Sequence, residues 1–389
     1  MILKITNTAR DYAWGSHSLI PDYFGLPATG KPMAEVWFGT HDGSLATVVG
    51  SPEQTLLAAI GGKPLAFLLK ILAAEEPLSI QAHPNPAQAE AGFARENAAG
   101  VPLSAFERNY KDDRHKPEML VALTDFEALC GFLEIDAAVE LLTALQAVSK
   151  PLLAEQLSLW AQGIAEDNNY KPVFGLISSL NGDALVELQL QLESAFSKLG
   201  PDSEFAERGR MIAKLHALHP GDRGVLLALL MNHVWLRPNE AIFLPAGNIH
   251  AYLGGLGVEV MAASDNVLRG GLTPKHIDVP ELENVLDFLP CSEPRSKPKE
   301  LATGLFEYPA AVDDFLLYRA ELSGSTVMAE LNLPASAIVL CTAGEVSLSN
   351  SIGETQLLRR GEAAFIAKDA KSFSLAGSGT AFLATSAVN

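Results

Sequence analysis

Two histidines, a glutamate and a glutamine have the types and positions that could bind a metal ion. On a strand at residues 77–84, side chains alternate between faces, so Gln81 and His83 share the face opposite the apolar residues. Glu118 begins an apolar run, and His250 follows a Pro–Gly turn. Such nitrogen and oxygen ligands fit Zn²⁺ or a similar divalent ion, although glutamine is an unusual zinc ligand. Spacing alone leaves a second interpretation open, in which these are hydrogen-bonded polar groups on half-buried strands.

The segment from residue 244 to 275 supplies further polar groups in an otherwise apolar region. We predict an antiparallel hairpin here, with strands at 250–253 and 258–261 joined by a glycine-rich turn at 254–257. The polar side chains on and after this hairpin are Glu259, Asn266, Arg269 and Lys275. A histidine, a glutamate, an arginine and a lysine that converge on one hairpin indicate a site for an anionic substrate.

Length and composition restrict the possible partners. At 389 residues, the chain is long enough for two or three domains. A formal net charge of −18 would repel nucleic acids and anionic membrane surfaces, so we expect neither as a partner. A small phosphorylated substrate fits this charge if basic residues are concentrated in one cleft. The chain has no apolar run of about 18 residues or more, no signal-peptide pattern and only scattered cysteines, which predicts a cytoplasmic protein.

Hydrophobic periodicity divides the chain into stretches of different structure. Asn85 and Pro86 predict the start of a helix directly after the first candidate ligands. Residues 135–230 have the spacing of amphipathic helices, and β-like patterning resumes after them. A Pro-, Ser- and Lys-rich linker at 290–300 then leads to short strands at 301–389, typical of a β-sandwich or jelly roll. The predicted fold class is therefore mainly β with an α-helical insertion.

Three blocks of sequence resemble the type I mannose-6-phosphate isomerases. They are PLSIQAHP at residues 77–84, HKPEM at 115–119, and the stretch from His250 to Arg269. Pro245, Gly247 and His250 also resemble the second metal motif of cupins. The resemblance implies two cupin-type jelly-roll β domains plus a helical domain. The implied parts are a discontinuous metal-binding catalytic domain at 1–134 and 231–300, a helical insertion at 135–230, and a C-terminal jelly roll without a metal site at 301–389.

The resemblance also implies roles for individual residues. One Zn²⁺ per chain would be bound by counterparts of the family's ligands, which are Gln81, His83, Glu118 and His250. The residues that we expect to take part in catalysis are Arg269, Glu259 and Lys116. The residues that we expect to bind substrate are Trp14, Lys70, Ser79, Tyr252, Asn266 and Lys275.

The implied reaction interconverts mannose 6-phosphate and fructose 6-phosphate through a cis-enediol. It needs a base near C1 and C2 and positive charge near the two oxygens. Glu259 is the first choice of base, because a desolvated carboxylate can have its pKa raised toward neutrality. Lys116 or His115 is the second choice, and Glu259 would then be a surface or salt-bridged carboxylate. Lys70, Lys116 and Lys275 are the candidates for the phosphate, and Arg269 could bind the phosphate or neutralise the enediolate.

Two other functions fit some of these residues. An iron cupin that oxidises its substrate is disfavoured, because such sites typically use two histidines and one carboxylate without a lysine-rich surround. A sugar-phosphate-binding protein could bind metal and ligand without turnover. In either enzyme or binder, we expect a small phosphosugar as the partner and a chain that is a monomer or a weak dimer.

Overall fold

Two antiparallel sheets and a helical segment build the fold, which confirms the predicted class. The computed structural model describes residues 1–324, 328–331, 333–368 and 372–387. Within those residues, one sheet has ten strands and is called the first sheet below. The other, the second sheet, has eleven strands. No helix in this described part combines the length and apolar character needed to cross a bilayer.

The first third of the chain supplies strands to both sheets. Its elements are β1 (Ile2–Thr6), α1 (Leu19–Phe24), β2 (Glu35–Phe38), β3 (Thr47–Val48), β4 (Ser51–Thr55), α2 (Leu56–Ala59), β5 (Phe67–Ala74), β6 (Ile80–Ala82), α3 (Pro86–Ala98), β7 (Glu118–Ala122) and β8 (Phe126–Phe132). The start of α3 is as predicted: the Asn85 side chain accepts from the Gln88 amide, and the Gln88 side chain accepts from the Asn85 amide. This capping box fixes the chain immediately after His83.

The predicted helical region contains α4 (Ile135–Val148), α5 (Pro151–Asp167), α6 (Lys171–Ser179), α7 (Gly182–Leu199), α8 (Ala206–Leu218) and α9 (Gly224–Leu229). Helices α4 to α8 are amphipathic, α9 is apolar and buried along its whole length, and all six contribute apolar side chains to one shared core. Leu142, Leu157, Trp160 and Leu192 are fully buried in that core. Burial of this apolar surface holds the helices together and against the ends of the neighbouring strands.

The chain then returns to the first sheet and completes the second. These elements are β9 (Met231–Leu236), β10 (Ala241–Leu244), β11 (His250–Ala262), β12 (Leu268–Gly271), α10 (Val279–Val285), β13 (Arg295–Ser296), β14 (Lys299–Ala302), β15 (Leu305–Tyr308), β16 (Leu316–Ser323), β17 (Met328–Leu331), β18 (Ala337–Asn350), β19 (Thr355–Arg359), β20 (Ala363–Ile366) and β21 (Phe373–Thr385). The second sheet also takes in β1, β3 and β4. The proposed domain boundaries stay a prediction, and their last range, 301–389, includes positions 325–327, 332, 369–371 and 388–389, which lie outside the described residues.

The predicted hairpin at 250–261 is wrong, because β11 is one continuous strand. Its first part pairs with β6 and β8, and its second part pairs with β5 and β7. Gly255 is the first residue of the second part, paired with Ala74 of β5, and it has φ of 122°. A Cβ there would lie 2.7 Å from Phe126 Cδ2. The glycines therefore permit a bend and a close approach within a strand, a role that resembles a turn in sequence.

Candidate metal centre and active site

Three buried side chains from three strands converge at one point. His83 follows β6, Glu118 begins β7 and His250 begins β11. His83 Nε2 lies 3.4 Å from Glu118 Oε1, and His250 Nε2 lies 3.5 Å from Glu118 Oε2. The three candidate ligand atoms lie within 4.8 Å of one another, and this is the one such cluster of His, Cys, Asp or Glu that the described residues form. The prediction that these three groups meet is confirmed.

The hydrogen bonds of the two histidines leave their facing nitrogens free to bind a metal. His83 Nδ1 lies 2.7 Å from the main-chain oxygen of Asn266, and His250 Nδ1 lies 3.0 Å from that of Asn248. A carbonyl oxygen only accepts, so each Nδ1 donates and each Nε2 carries a lone pair. Among the described residues, both Nε2 atoms and Glu118 Oε2 are buried without a hydrogen-bond partner. Buried orphan atoms of this donor set fit a divalent ion such as Zn²⁺.

Gln81 lies in the same row of side chains as His250 and Arg269. It is half-buried on β6, directly opposite His250 of β11 and Arg269 of β12. Side chains of directly opposed residues point to the same face of an antiparallel sheet. The register therefore brings the fourth predicted ligand and the predicted catalytic arginine to the side of the sheet that carries His250.

The surroundings keep the candidate ligands in their metal-binding protonation states. Burial lowers the pKa of His83 to about 4, and Lys116 also opposes its protonation. Burial alone would raise the pKa of Glu118, but Lys116, with Nζ 2.8 Å from Oε1, and His83 outweigh it and hold that pKa well below its usual range. Near neutral pH, His83 is uncharged and Glu118 is charged, as metal ligands must be.

A second group of buried charged side chains lies on the face of the first sheet that carries Glu118. Glu259 is opposite Lys70 of β5, and Met261, two residues on, is opposite Glu118, so both carboxylates and the lysine share one face. Lys70 Nζ is 3.0 Å from Glu259 Oε2 and 3.5 Å from Glu35 Oε1. The Tyr252 hydroxyl donates to Glu259 Oε1 at 3.0 Å. Glu259 therefore lies within the site.

The charges of this second group shift its pKa values. Burial raises the pKa of Glu259, Lys70 lowers it, and the Glu118 and Glu35 carboxylates raise it further, so the net shift is upward. Although burial opposes the charge of Lys70, Glu259 and Glu35 outweigh it and raise the lysine pKa. Glu259 is thus a carboxylate with increased proton affinity beside an ammonium that stays charged.

Arg269 lies close enough to Lys111 and Lys275 to act on both electrostatically. Burial lowers the pKa of Arg269. The pKa of Lys275 is lowered by burial and then by Arg269. The pKa of Lys111 is lowered by burial, by Arg108 and by Arg269. None of the three forms an ion pair within the described part of the chain, whereas the ammonium groups of Lys70 and Lys116 each lie beside a buried carboxylate. The sequence prediction missed Lys111, because it stands in a polar block that is typical of a solvated loop.

The other predicted residues, Trp14, Ser79, His115 and Asn266, differ in their surroundings. Trp14 packs against the apolar cluster that contains Tyr252, and Ser79 is half-buried next to β6. His115, the alternative base, has Nε2 2.8 Å from Asp314 Oδ2. Asn266 is fully buried, and its side chain is hydrogen-bonded to residues 111–114. Their roles toward a substrate stay predictions.

Comparisons with known proteins agree with this arrangement. Residues 2–135 match the family described as phosphomannose isomerase type I, catalytic domain. Mannose-6-phosphate isomerase of Escherichia coli (strain K12) is 38% identical over 395 residues, covering 97% of each chain. The Homo sapiens mannose-6-phosphate isomerase is 32% identical over 405 residues, covering 94% of this chain and 93% of its own. A crystal structure of the Salmonella typhimurium mannose 6-phosphate isomerase contains its substrate fructose 6-phosphate and zinc. That chain is 34% identical to this one, with a TM-score of 0.86 and coverage of 99% of each chain. The chain therefore belongs to the type I phosphomannose isomerase family.

Proposed function

We propose that this protein is a zinc-dependent aldose–ketose isomerase that interconverts mannose 6-phosphate and fructose 6-phosphate. The observation that carries the proposal is the convergence of three orphaned, buried ligand atoms next to a buried glutamate–lysine pair. The relatives named above act on this sugar phosphate by name, and one of them binds zinc. The residues that would hold Zn²⁺ are Gln81, His83, Glu118 and His250.

Bound there, Zn²⁺ would supply Lewis-acid stabilisation of the negative charge that develops on the substrate oxygens. The chain's own residues prepare this role. Glu118 contributes the one ligand charge, and Lys116 holds its Oε1 at 2.8 Å. The main-chain oxygens of Asn248 and Asn266 hold the two imidazole rings in one tautomer.

Glu259 is the base that the geometry supports best. The upward shift of its pKa, caused first by burial, gives the carboxylate more affinity for a carbon-bound proton than an exposed glutamate has. It would accept the proton from C2 of mannose 6-phosphate and return it to C1, while the hydroxyl proton of O2 passes to O1, so no proton is gained or lost overall. The Lys70 ammonium and the Tyr252 hydroxyl donate to its two oxygens and would hold the carboxylate in position. Lys116 or His115 remains the alternative base and would otherwise assist ring opening.

Arg269 and Lys275 are the favoured ligands for the phosphate. A phosphate dianion needs two or three cations, and Arg269 acts electrostatically on both Lys275 and Lys111. Neither Arg269 nor Lys275 forms an ion pair with a carboxylate among the described residues. Burial lowers the pKa of each, and Arg269 lowers that of Lys275 further, so a bound anion would stabilise both charges. Lys70 and Lys116, the other candidates, are neutralised by buried glutamates and are therefore less suited.

The cysteines and the net charge of the chain bear on where it resides and what it binds. Cys130, Cys291 and Cys341 are free thiols, which favours the reducing cytoplasm. The charge of −18 favours a small phosphosugar over nucleic acid or membrane as the partner. We propose a monomer or a weak dimer.

The test is turnover of mannose 6-phosphate by purified protein before and after metal removal. The proposal predicts activity that a chelator abolishes and added Zn²⁺ restores. A sugar-phosphate-binding protein would instead be stabilised thermally by mannose 6-phosphate without producing fructose 6-phosphate. Restoration by Fe²⁺ alone, with consumption of oxygen, would favour the oxidative cupin.

A further inference from the structure

The Asn266 side chain is already fully hydrogen-bonded within the protein. It is 0% exposed, and its Oδ1 accepts from the main-chain amides of Lys111 at 2.7 Å and Asp112 at 3.2 Å. Its Nδ2 donates to the main-chain oxygens of Asp112 and Arg114, both at 2.8 Å. A carboxamide has two donor hydrogens and two acceptor lone pairs, and these four bonds use them all. No capacity is left for a sugar hydroxyl.

The main chain of the same residue contacts a candidate metal ligand. The oxygen of Asn266 accepts the Nδ1 hydrogen of His83 at 2.7 Å, and this bond decides which way His83 Nε2 points. The position of that oxygen depends on the side-chain bonds, because they fix the Asn266 backbone against residues 111–114. One residue thus links a metal ligand to a separate loop.

The linked loop leads directly into other groups of the site. Residues 111–114 precede Lys116 and Glu118, which are themselves 2.8 Å apart at Nζ and Oε1. Additional bonds join the same two segments: Ser264 Oγ donates to Asp112 Oδ1 at 2.8 Å, and the amide of Asp265 donates to Asp112 Oδ2 at 2.8 Å. These hydrogen bonds tie the two segments to each other.

We propose that Asn266 is a positioning residue, which sets the orientation of His83 and the path of the loop that carries Lys116 and Glu118. This role replaces the substrate contact expected from sequence. Its kinetic part rests on the proposed isomerase function, whereas its metal-binding part does not. The metal centre and the loop that carries Lys116 would then form one pre-formed unit. Loss of a hydrogen-bond partner of a metal ligand typically lowers metal affinity or activity by about 10- to 100-fold.

Asn266→Ala can be compared with a matched control, Asn350→Ala. Asn350 is also buried, accepts from two main-chain amides through Oδ1 and donates through Nδ2, but it lies in the second sheet. We would measure the Zn²⁺ dissociation constant of the metal-free protein by competition with a chromogenic chelator, and kcat and KM at saturating Zn²⁺. The proposal predicts that Asn266→Ala raises the zinc Kd by about tenfold or more and lowers kcat, with KM unchanged.

The other outcomes separate the competing roles. A raised KM with normal zinc affinity would overturn the proposal in favour of substrate contact. A lowered Tm with zinc Kd and kcat equal to those of Asn350→Ala would show a merely structural residue. If Asn266→Ala does not fold, Ser264→Ala removes a neighbouring bond between the same segments and must raise the zinc Kd in the same direction, and an unchanged Kd contradicts the proposal. Failure of the wild type to isomerise mannose 6-phosphate would defeat the proposed function, while a raised zinc Kd in the variants would still support the positioning role.

Discussion

Lys70 and Glu259 are direct neighbours on adjacent strands, and Lys70 Nζ lies 3.0 Å from Glu259 Oε2. Both side chains are buried, and the same ammonium is 3.5 Å from Glu35 Oε1. One lysine thus serves two carboxylates, and Glu118 is close enough to act electrostatically on Lys70 and Glu259. Burial, together with the charges of Glu118 and Glu35, explains why the pKa of Glu259 is raised even though it has an ion-pair partner.

We predict that Lys70→Met destabilises the metal-free protein by about 3 to 5 kcal/mol, because it leaves buried carboxylates without their cation. Lys70→Met combined with Glu259→Gln should recover part of that loss, since the charge of Glu259 is then gone and only that of Glu35 is left without its cation. Urea unfolding measures both. A double variant that is no more stable than Lys70→Met would show that the loss comes from packing rather than charge.

The stability of the metal-free protein should fall as the pH falls from 6.5 to 4. The pKa of His83 is lowered from 6.5 to about 4 by burial, so between these values the unfolded chain binds a proton that the folded chain does not. Stability therefore rises with pH across this window, by about 3 kcal/mol in total for this group. Chemical denaturation at a series of pH values measures it. In His83→Gln the slope should be shallower by one proton, and an unchanged slope would refute the assignment.

Lys275→Met should raise KM for mannose 6-phosphate by about tenfold with little change in kcat, because it removes one charge-assisted hydrogen bond worth about 1.4 kcal/mol. Steady-state kinetics at low ionic strength provide the measurement. Lys297→Met is the control, since that side chain is 82% exposed. Equal KM values in the two variants would exclude Lys275 from the phosphate site.

The bend in β11 predicts different tolerances at two neighbouring glycines. A Cβ on Gly255 would lie 2.8 Å from the main-chain oxygen of Asp125, and an alanine there would have to adopt φ of 122°. At Gly254, the atom nearest to an added Cβ is 3.9 Å away. Gly255→Ala should therefore lower the free energy of unfolding by roughly 2 kcal/mol or more, and Gly254→Ala by less than about 1 kcal/mol. Thermal unfolding of the two variants compares them. Similar losses in both would mean that β11 is not constrained at this bend.

Much of the site could be predicted because its residues carry local signals. His83 follows an alternating strand and precedes a capped helix, and Glu118 begins an apolar strand, so their positions depend on short-range patterns. The resemblance to a family then supplied the order of the blocks. The convergence of His83, Glu118 and His250 was predictable from these features together.

The rest depended on long-range pairing that sequence patterns do not encode. The glycines of β11 fit a turn as well as a bend, and only the pairing with β5 and β7 distinguishes them. The face that Glu259 occupies followed from the register with Lys70. The position of Lys111 and the burial of the Asn266 side chain depend on hydrogen bonds between Asn266 and the loop at 111–114. These bonds join residues more than 150 positions apart in the chain. A polar block in the sequence cannot show that it is tied to a distant loop.

The most direct test of the metal centre is zinc content and isomerase activity measured on the same preparations of wild type, His250→Ala and Gln81→Ala. The proposed centre predicts about one zinc per chain and turnover of mannose 6-phosphate in the wild type, with both reduced together in the variants, more severely in His250→Ala because it removes a buried imidazole ligand. Full activity in both variants would contradict the zinc-centred mechanism.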